Sequence, residues 1–175
     1  MKSLMKARPR DREAGFSIIE LMVVVVIMGI VLAASIPALR QHKENINLTK
    51  GSREVESSLK LARTRAVSTN NSVVVVFDTD ASTYLLYEDT DDDGNQDAGE
   101  TSSGPFEVPE RVAIGSVSFA RNAVTFTPSG AASETGSVIL VNTRNLAQRI
   151  DLTAATGLVY VSDVYQYEGE LVGED

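Results

Sequence analysis

The distribution of apolar and polar residues divides the chain into a long apolar run, an amphipathic stretch and a region of short alternating segments. The apolar run occupies residues 16–39, and Glu20 is its only charged residue. As a helix, these 24 residues would extend over about 36 Å, which is enough to span the hydrocarbon core of a bilayer. The pattern therefore predicts a transmembrane and assembly helix at residues 16–39.

The amphipathic stretch follows at residues 40–68 and is predicted to continue as a stem helix. Its apolar positions recur at spacings of seven, four, three and four, which places them on one helical stripe: Leu48, Val55, Leu59, Ala62 and Ala66. Basic residues lie largely off this stripe, either as a solvated face or as contacts for the acidic surface of a neighbouring chain: Arg53, Lys60, Arg63 and Arg65. Pro37 is expected to kink the helix, and Gly51 to weaken it by about 1 kcal/mol relative to alanine.

From residue 69 onward the pattern changes to short strand-like runs separated by turn residues. The predicted strands are residues 73–78, 83–88, 123–128, 137–142, 149–152 and 158–161. The segment TSSGPFEVPE, which begins at Thr101, is expected to be irregular. One long helix packed on a small antiparallel β-sheet is an α+β architecture, and this is the fold class that the pattern predicts.

Charge is distributed unevenly along the 175 residues, whose net charge is −8. Residues 1–15 carry a net charge of +3 and residues 40–65 a net charge of +4, whereas the chain from Ala66 onward carries −14. A basic leader before an apolar helix places the N-terminus in the cytoplasm and the following domain outside. The acidic domain would repel a polyanion, so we expect no binding to nucleic acid.

The residue types available in the chain argue against catalysis. Cysteine is absent and His42 is the only histidine, which excludes thiolate nucleophiles, disulfides and a Cys/His zinc site. No serine or threonine of the β-rich region has a histidine base, because His42 lies in the stem. The carboxylates concentrate in one loop rather than forming a recognisable acid/base pair. We therefore expect that the protein is not an enzyme.

The acidic loop at residues 89–100 reads DTDDDGNQDAGE and fits the calcium-loop pattern D-x-[DN]-x-[DN]-G-x5-E. The candidate ligands are Asp89, Asp91, Asp93, the backbone carbonyl of Asn95, Asp97 through water, and Glu100 as a bidentate carboxylate. A strand and an irregular segment flank the loop instead of two helices, so a solvated hairpin tip is the other interpretation. Calcium is the one cofactor that the sequence suggests, with a dissociation constant of about 10⁻⁴–10⁻³ M.

Glu20 needs a partner, because a carboxylate inside an apolar span is costly and usually functional. Cleavage between Gly15 and Phe16 would create an α-amino group, and the amine of one copy could pair with Glu20 of its neighbour in an assembly. The alternative is an ordinary signal peptide cleaved near Ala34 to Ala38, where AASIPA supplies small residues. That cleavage would release a secreted calcium-binding module and leave Glu20 without a role.

The stretch GFSIIELMVVVVIMGIVLAASIPAL resembles the class III signal of type IV prepilins and type II secretion pseudopilins. The resemblance implies that a prepilin peptidase cuts after Gly15 and methylates Phe16, and that Glu20 joins neighbouring subunits; Pro37 also matches the pattern. It further implies a removed leader at residues 1–15 and a single-pass inner-membrane protein. Its N-terminus would be cytoplasmic and its domain at residues 69–175 periplasmic, with later incorporation into a periplasmic or surface filament.

Three stretches of the remaining chain resemble the GspH/FimT branch of minor pilins and pseudopilins: SSLKLARTRAVSTNNSVVV, TFTPSGAASETGSVILVN and TGLVYV. The resemblance implies a type IV pilin-like fold and a minor subunit at or near the filament tip. Such a subunit helps to initiate or cap a type II secretion pseudopilus or a type IV pilus. The implied partners are other pilin or pseudopilin subunits, prepilin peptidase and the inner membrane.

DNA binding is the alternative function that this resemblance raises. DNA-binding members on the FimT side share a basic stretch of the form Gly-Arg-x-Arg near the C-terminus. The equivalent residues here are Gly157-Leu158-Val159-Tyr160, which include no arginine. This departure and the acidic charge of the domain both disfavour DNA as a ligand.

Overall fold

The computed structural model describes residues 16–169, with the exception of the side chains of residues 34–42. One helix, α1, covers Ile18–Thr69 and contains 52 residues. Nine strands follow in the described chain: β1 (Ser72–Asp78), β2 (Thr83–Asp89), β3 (Ser102–Glu107), β4 (Val112–Val117), β5 (Ala123–Phe126), β6 (Gly136–Asn142), β7 (Leu146–Thr153), β8 (Leu158–Val161) and β9 (Tyr165–Gln166). A short 3-10 turn, Ala120–Asn122, precedes β5. The described chain divides into two units, of which the first ends at Arg40 and the second begins at Gln41.

The strands form two antiparallel sheets, whereas the sequence pattern predicted a single small one. The order is β3-β2-β1-β5 in the first sheet and β4-β6-β7-β8 in the second, where β9 also pairs with β7. In the first sheet β1 is central, with Val75 opposite Leu86 of β2 and opposite Val124 of β5. All pairings are antiparallel among the described residues, so the predicted α+β class is confirmed.

The predicted apolar stripe of α1 lies in the core. Each of its five residues is at most 1% exposed: Leu48, Val55, Leu59, Ala62 and Ala66. They belong to one cluster with apolar residues of both sheets, among them Phe126 of β5 and Leu140 of β6. Fully burying a valine or leucine side chain stabilises a fold by roughly 1.5–3 kcal/mol. The stripe therefore anchors this part of α1 to the sheets.

Gly51 has a different role from the one predicted. It is buried, and a Cβ atom added to it would lie 2.9 Å from Cδ of Pro109 and 3.3 Å from Cδ1 of Leu140. Carbon atoms in ordinary contact are about 3.5–4.0 Å apart. The missing side chain thus permits a close approach between α1, the segment between β3 and β4, and β6. Gly51 is a contact point of the fold rather than only a weak point of the helix.

Two of the basic residues of α1 bind within the domain instead of forming a solvated face. Nε of Arg63 donates a hydrogen bond to the Gly130 carbonyl at 2.9 Å, and Nη1 of Arg65 donates to Oγ of Ser103 at 2.9 Å. Arg63 and Arg65 are each only half-buried. They tie α1 to the loop between β5 and β6 and to β3, so the interpretation of a uniformly solvated basic face is wrong at these positions.

All six predicted strands are present, as β1, β2, β5, β6, β7 and β8, with ends that differ by up to three residues. The expectation of an irregular segment after Thr101 is wrong, because β3 lies there. Gly104 and Pro105 suggest a turn, but β3 is an edge strand, where a residue without an N–H group is tolerated. β4 was also not predicted, because Gly115 interrupts the alternation of apolar and polar residues along it. The pairing of β4 with β6 shifts register at the same position, between Ile114 and Ser116.

Candidate functional site

The predicted processing and assembly residues lie at the start of the described chain. Gly15 is outside the described residues, and Phe16 is 80% exposed. Glu20 lies in the first turn of α1, where its amide and that of Leu21 both donate to the Ser17 carbonyl at 3.1 Å. Its side chain is exposed, and among the described side chains no basic group lies within 4.0 Å of it. Its pairing with a neighbouring subunit stays a prediction.

The first half of α1 exposes a continuous apolar surface. Every large apolar side chain from Phe16 to Leu32 is at least 43% exposed. Soluble monomers rarely expose contiguous apolar patches larger than a few hundred Å², so this surface marks a site of interaction. No helix within the described part of the chain meets the length and apolarity of a bilayer span. The side chain of Pro37 lies outside the described set, so its role in assembly stays a prediction.

The acidic loop that connects β2 to β3 is folded around a buried carboxylate. Asp89, the last residue of β2, is 3% exposed and accepts hydrogen bonds from the amides of Asp93 at 3.1 Å and Gly94 at 3.0 Å. Gly94 has a φ of 77°, in the left-handed region that glycine adopts without strain. The hydroxyl of Tyr87 donates to the Gly94 carbonyl at 2.9 Å. Nothing in the sequence pattern singled out Tyr87, because an aromatic residue in a strand ordinarily belongs to the core.

Three of the six predicted calcium ligands come together in this loop. One carboxylate oxygen from each of Asp89, Asp91 and Asp93 lies within 4.8 Å of the others. The carboxylates of Asp97 and Glu100 are not part of this group in the described structure. The amide of Asn95 donates to Oδ1 of Asp93 at 2.7 Å, so the Asp93 carboxylate also holds the turn. The local fold thus concentrates three carboxylates on one side of the loop.

Glu100 closes the loop at its other end. Its Oε1 accepts hydrogen bonds from the amide of Thr90 at 2.8 Å and from the Thr90 hydroxyl at 3.2 Å, and its Oε2 accepts one from the Asp97 amide at 3.0 Å. The amides of Asp97 and Thr90 stabilise the ionised form and lower the pKa of Glu100. Both oxygens of the predicted bidentate ligand therefore bind the backbone of the loop.

Mutual repulsion and burial act on the other carboxylates of the loop. The charge of Asp93, followed by desolvation and the charges of Asp91 and Glu100, raises the pKa of Asp97. Burial raises the pKa of Asp89 despite the two amide bonds that favour its ionised form. Closely spaced carboxylates disfavour each other's charge, and a bound cation or proton would offset this repulsion.

The chain belongs to the GspH family. Residues 52–156 match the family described as Type II transport protein GspH, and residues 10–36 match the prokaryotic N-terminal methylation motif. The resemblance predicted from the sequence is therefore confirmed, for both the N-terminal segment and the β-rich domain. Together the motif and the family imply a membrane-anchored subunit of the pilin and pseudopilin class that assembles with other such subunits.

Solved structures of two minor subunits share this fold. The minor pseudopilin EpsH from the Type 2 Secretion System of Vibrio cholerae aligns with a TM-score of 0.51 at 13% identity, covering 66% of this chain and 96% of EpsH. The type IV minor pilin FimU of Pseudomonas aeruginosa aligns with a TM-score of 0.56 at 15% identity, covering 72% of this chain and 98% of FimU. No curated protein matches the chain. The pilin-like α+β fold is thus confirmed, and no finding favours the DNA-binding alternative.

Proposed function

We propose that this chain is a minor pseudopilin or minor pilin that helps to initiate or cap a type II secretion pseudopilus or a type IV pilus. Prepilin peptidase cleaves it after Gly15 and methylates Phe16, while the N-terminus lies in the cytoplasm and the domain in the periplasm. The observation that carries this proposal is the methylation motif at residues 10–36, which includes the exposed apolar surface of α1 from Phe16 to Leu32. The GspH match and the fold shared with EpsH and FimU support it.

The proposal assigns Glu20 a partner. In a bundle of apolar helices an unpaired carboxylate is costly, and the α-amine of Phe16 on the neighbouring subunit supplies the opposite charge. Removing one member of a buried ion pair costs about 3–5 kcal/mol, because the other charge is left uncompensated. Such a pair specifies the register between subunits more than it adds stability. The absence of histidine and cysteine from residue 66 onward supports an assembly role rather than a catalytic one.

The test compares Glu20→Ala with Glu168→Ala, a matched change at an exposed glutamate of the domain. Mass spectrometry of the N-terminal peptide is made on the membrane and sheared-filament fractions of cells that carry the complete assembly machinery. We expect both variants to start at a methylated Phe16. The amount of protein in the filament fraction should decrease only for Glu20→Ala, by about tenfold or more. A chain that starts at Met1 or near Ala34 would contradict the processing. Normal incorporation of Glu20→Ala would contradict the pairing.

We also propose that the acidic loop binds calcium, on the basis of the spacing of its acidic residues. The proposal is supported by Asp89, Asp91 and Asp93, whose carboxylate oxygens lie within 4.8 Å of one another. Bidentate ligation by Glu100 would require its release from two backbone amides, so we expect weak binding, about 10⁻⁴–10⁻³ M. Calorimetric titration of the full chain in detergent with calcium chloride tests this. Asp93→Asn should abolish the binding heat, whereas Asp163→Asn outside the loop should preserve it. Equal heats from both variants would contradict the site.

A further inference from the structure

A cleft of about 330 Å³ lies between α1 and the edge strand β3. Its lining residues come from α1, β2 and β3: Glu54, Ser57, Ser58, Tyr84, Phe106 and Glu107. We propose that this cleft binds the side chain of a lysine or arginine from a neighbouring filament subunit. The cationic chemistry follows from the lining residues, and only the source of the side chain rests on the proposed function.

The cleft contains two aromatic side chains, Tyr84, which is buried, and Phe106, which packs against Tyr84 and is partly exposed. Tyr84 and Phe106 are opposite each other in the pairing of β2 with β3, and their ring centroids are 5.5 Å apart. Tyr84 is 5% exposed, and its hydroxyl is hydrogen-bonded to that of Ser58 on α1 at 3.1 Å. Phe106 remains 41% exposed. The face of an exposed aromatic ring attracts an ammonium or guanidinium group and also packs against its methylene chain.

The two carboxylates of the cleft come from different elements, Glu54 from α1 and Glu107 from β3. Glu107 is exposed, and among the described residues no basic group lies within 4.0 Å of its carboxylate. Glu54 lies 3.6 Å from Nζ of Lys50, a pair in which both side chains are largely exposed. Such exposed pairs contribute about 0–1 kcal/mol, so Lys50 is a weak competitor. The lining therefore combines negative charge with an aromatic ring and includes no cation of its own.

The size and position of the cleft favour a side chain over a larger ligand. Its volume is at the lower end of the range for small-molecule pockets, about 300–1,000 Å³. It lies along α1 and beside β3, an edge strand that no further strand of the described chain covers. A carboxylate or phosphate would be repelled by Glu54 and Glu107, and a neutral side chain would leave Glu107 without a counter-charge.

The test of the chemistry is a titration of the processed full chain in detergent micelles, with its five phenylalanines carbon-13 labelled and Phe106 assigned through Phe106→Leu. The probes are Nα-acetyl-arginine methylamide and its neutral isostere Nα-acetyl-citrulline methylamide. We expect a saturable shift of the Phe106 resonance with the arginine probe alone. Glu107→Gln should weaken this binding by about two- to fivefold, and the matched control Glu168→Gln should not alter it.

Three outcomes of this titration would overturn the proposal. The first is an equal shift with the citrulline probe, and the second is an unchanged affinity in Glu107→Gln. The third is a Phe106 resonance that moves in Lys50→Gln but not on titration, which would assign the cleft to the chain's own lysine. The titration needs no filament. Its result is therefore independent of the Glu20→Ala experiment, and either proposal can fail while the other stands.

The source of the side chain is tested in assembling cells by placing p-benzoylphenylalanine at Ser57, which lines the cleft and is exposed. Mapping the cross-linked peptide by mass spectrometry should identify a pilin or pseudopilin subunit and a segment that carries lysine or arginine. Glu107→Gln should lower the yield by about two- to fivefold, and Glu168→Gln should leave it unchanged. Adducts with lipid alone, or an equal yield in both variants, would overturn the assignment to a neighbouring subunit.

Discussion

Replacing Gly51 by alanine sets two effects of known size against each other. Alanine is favoured over glycine by about 1 kcal/mol in the interior of a helix. The added methyl group would lie 2.9 Å from the ring of Pro109 and 3.3 Å from Leu140. The proline ring is bonded to its own backbone and Leu140 is fully buried, so neither retreats freely. Overpacking of this kind costs about 1–3 kcal/mol, so we expect a net loss of about 1 kcal/mol.

Thermal unfolding of the full chain in detergent measures this balance. Near-ultraviolet circular dichroism of the five tyrosines is a suitable signal, since the chain has no tryptophan. A loss of 1 kcal/mol should lower the Tm by about 2–4 °C in a chain of this length. Ser57→Ala is the matched control, because this exposed position on the same helix gains helix propensity without a new contact. A higher Tm in Gly51→Ala would refute the close-packing argument. It would mean that Gly51 only weakens the helix, as the sequence alone suggested.

Two further predictions concern a tight turn and the acidic loop. Gly157→Ala should lower the free energy of unfolding by about 2 kcal/mol or more in the same assay, because Gly157 has a φ of 59° and its added Cβ would clash with the Gly130 carbonyl oxygen; an unchanged Tm would contradict this. The raised pKa values of Asp89 and Asp97 mean that protons compete with calcium from a higher pH than at ordinary aspartates, so calcium affinity should fall as the pH is lowered and should begin to fall above the pH at which ordinary aspartates titrate. A pH-independent affinity would contradict the carboxylate site.

The acidic loop illustrates how far a spacing pattern predicts a candidate site. The pattern identified six ligand positions, and the structure brings the carboxylates of Asp89, Asp91 and Asp93 together. It did not indicate that Glu100 binds the amides of Thr90 and Asp97. Whether Glu100 binds these amides or faces a cation depends on how β2 and β3 position the two ends of the loop. The sequence pattern could not predict the cleft beside β3 either, because the segment that contains Phe106 was expected to be irregular.

The sequence by itself determined the features that depend on neighbouring residues along the chain. These are the apolar N-terminal run, the methylation motif, the buried stripe of α1 and six of the strands, because helical and strand periodicity are local signals. Only the tertiary structure decided the division into two sheets, the close approach at Gly51 and the edge position of β3. Each of these depends on which distant segments pair or pack, and a Gly-Pro sequence suggests a turn until its place at the edge of a sheet is known.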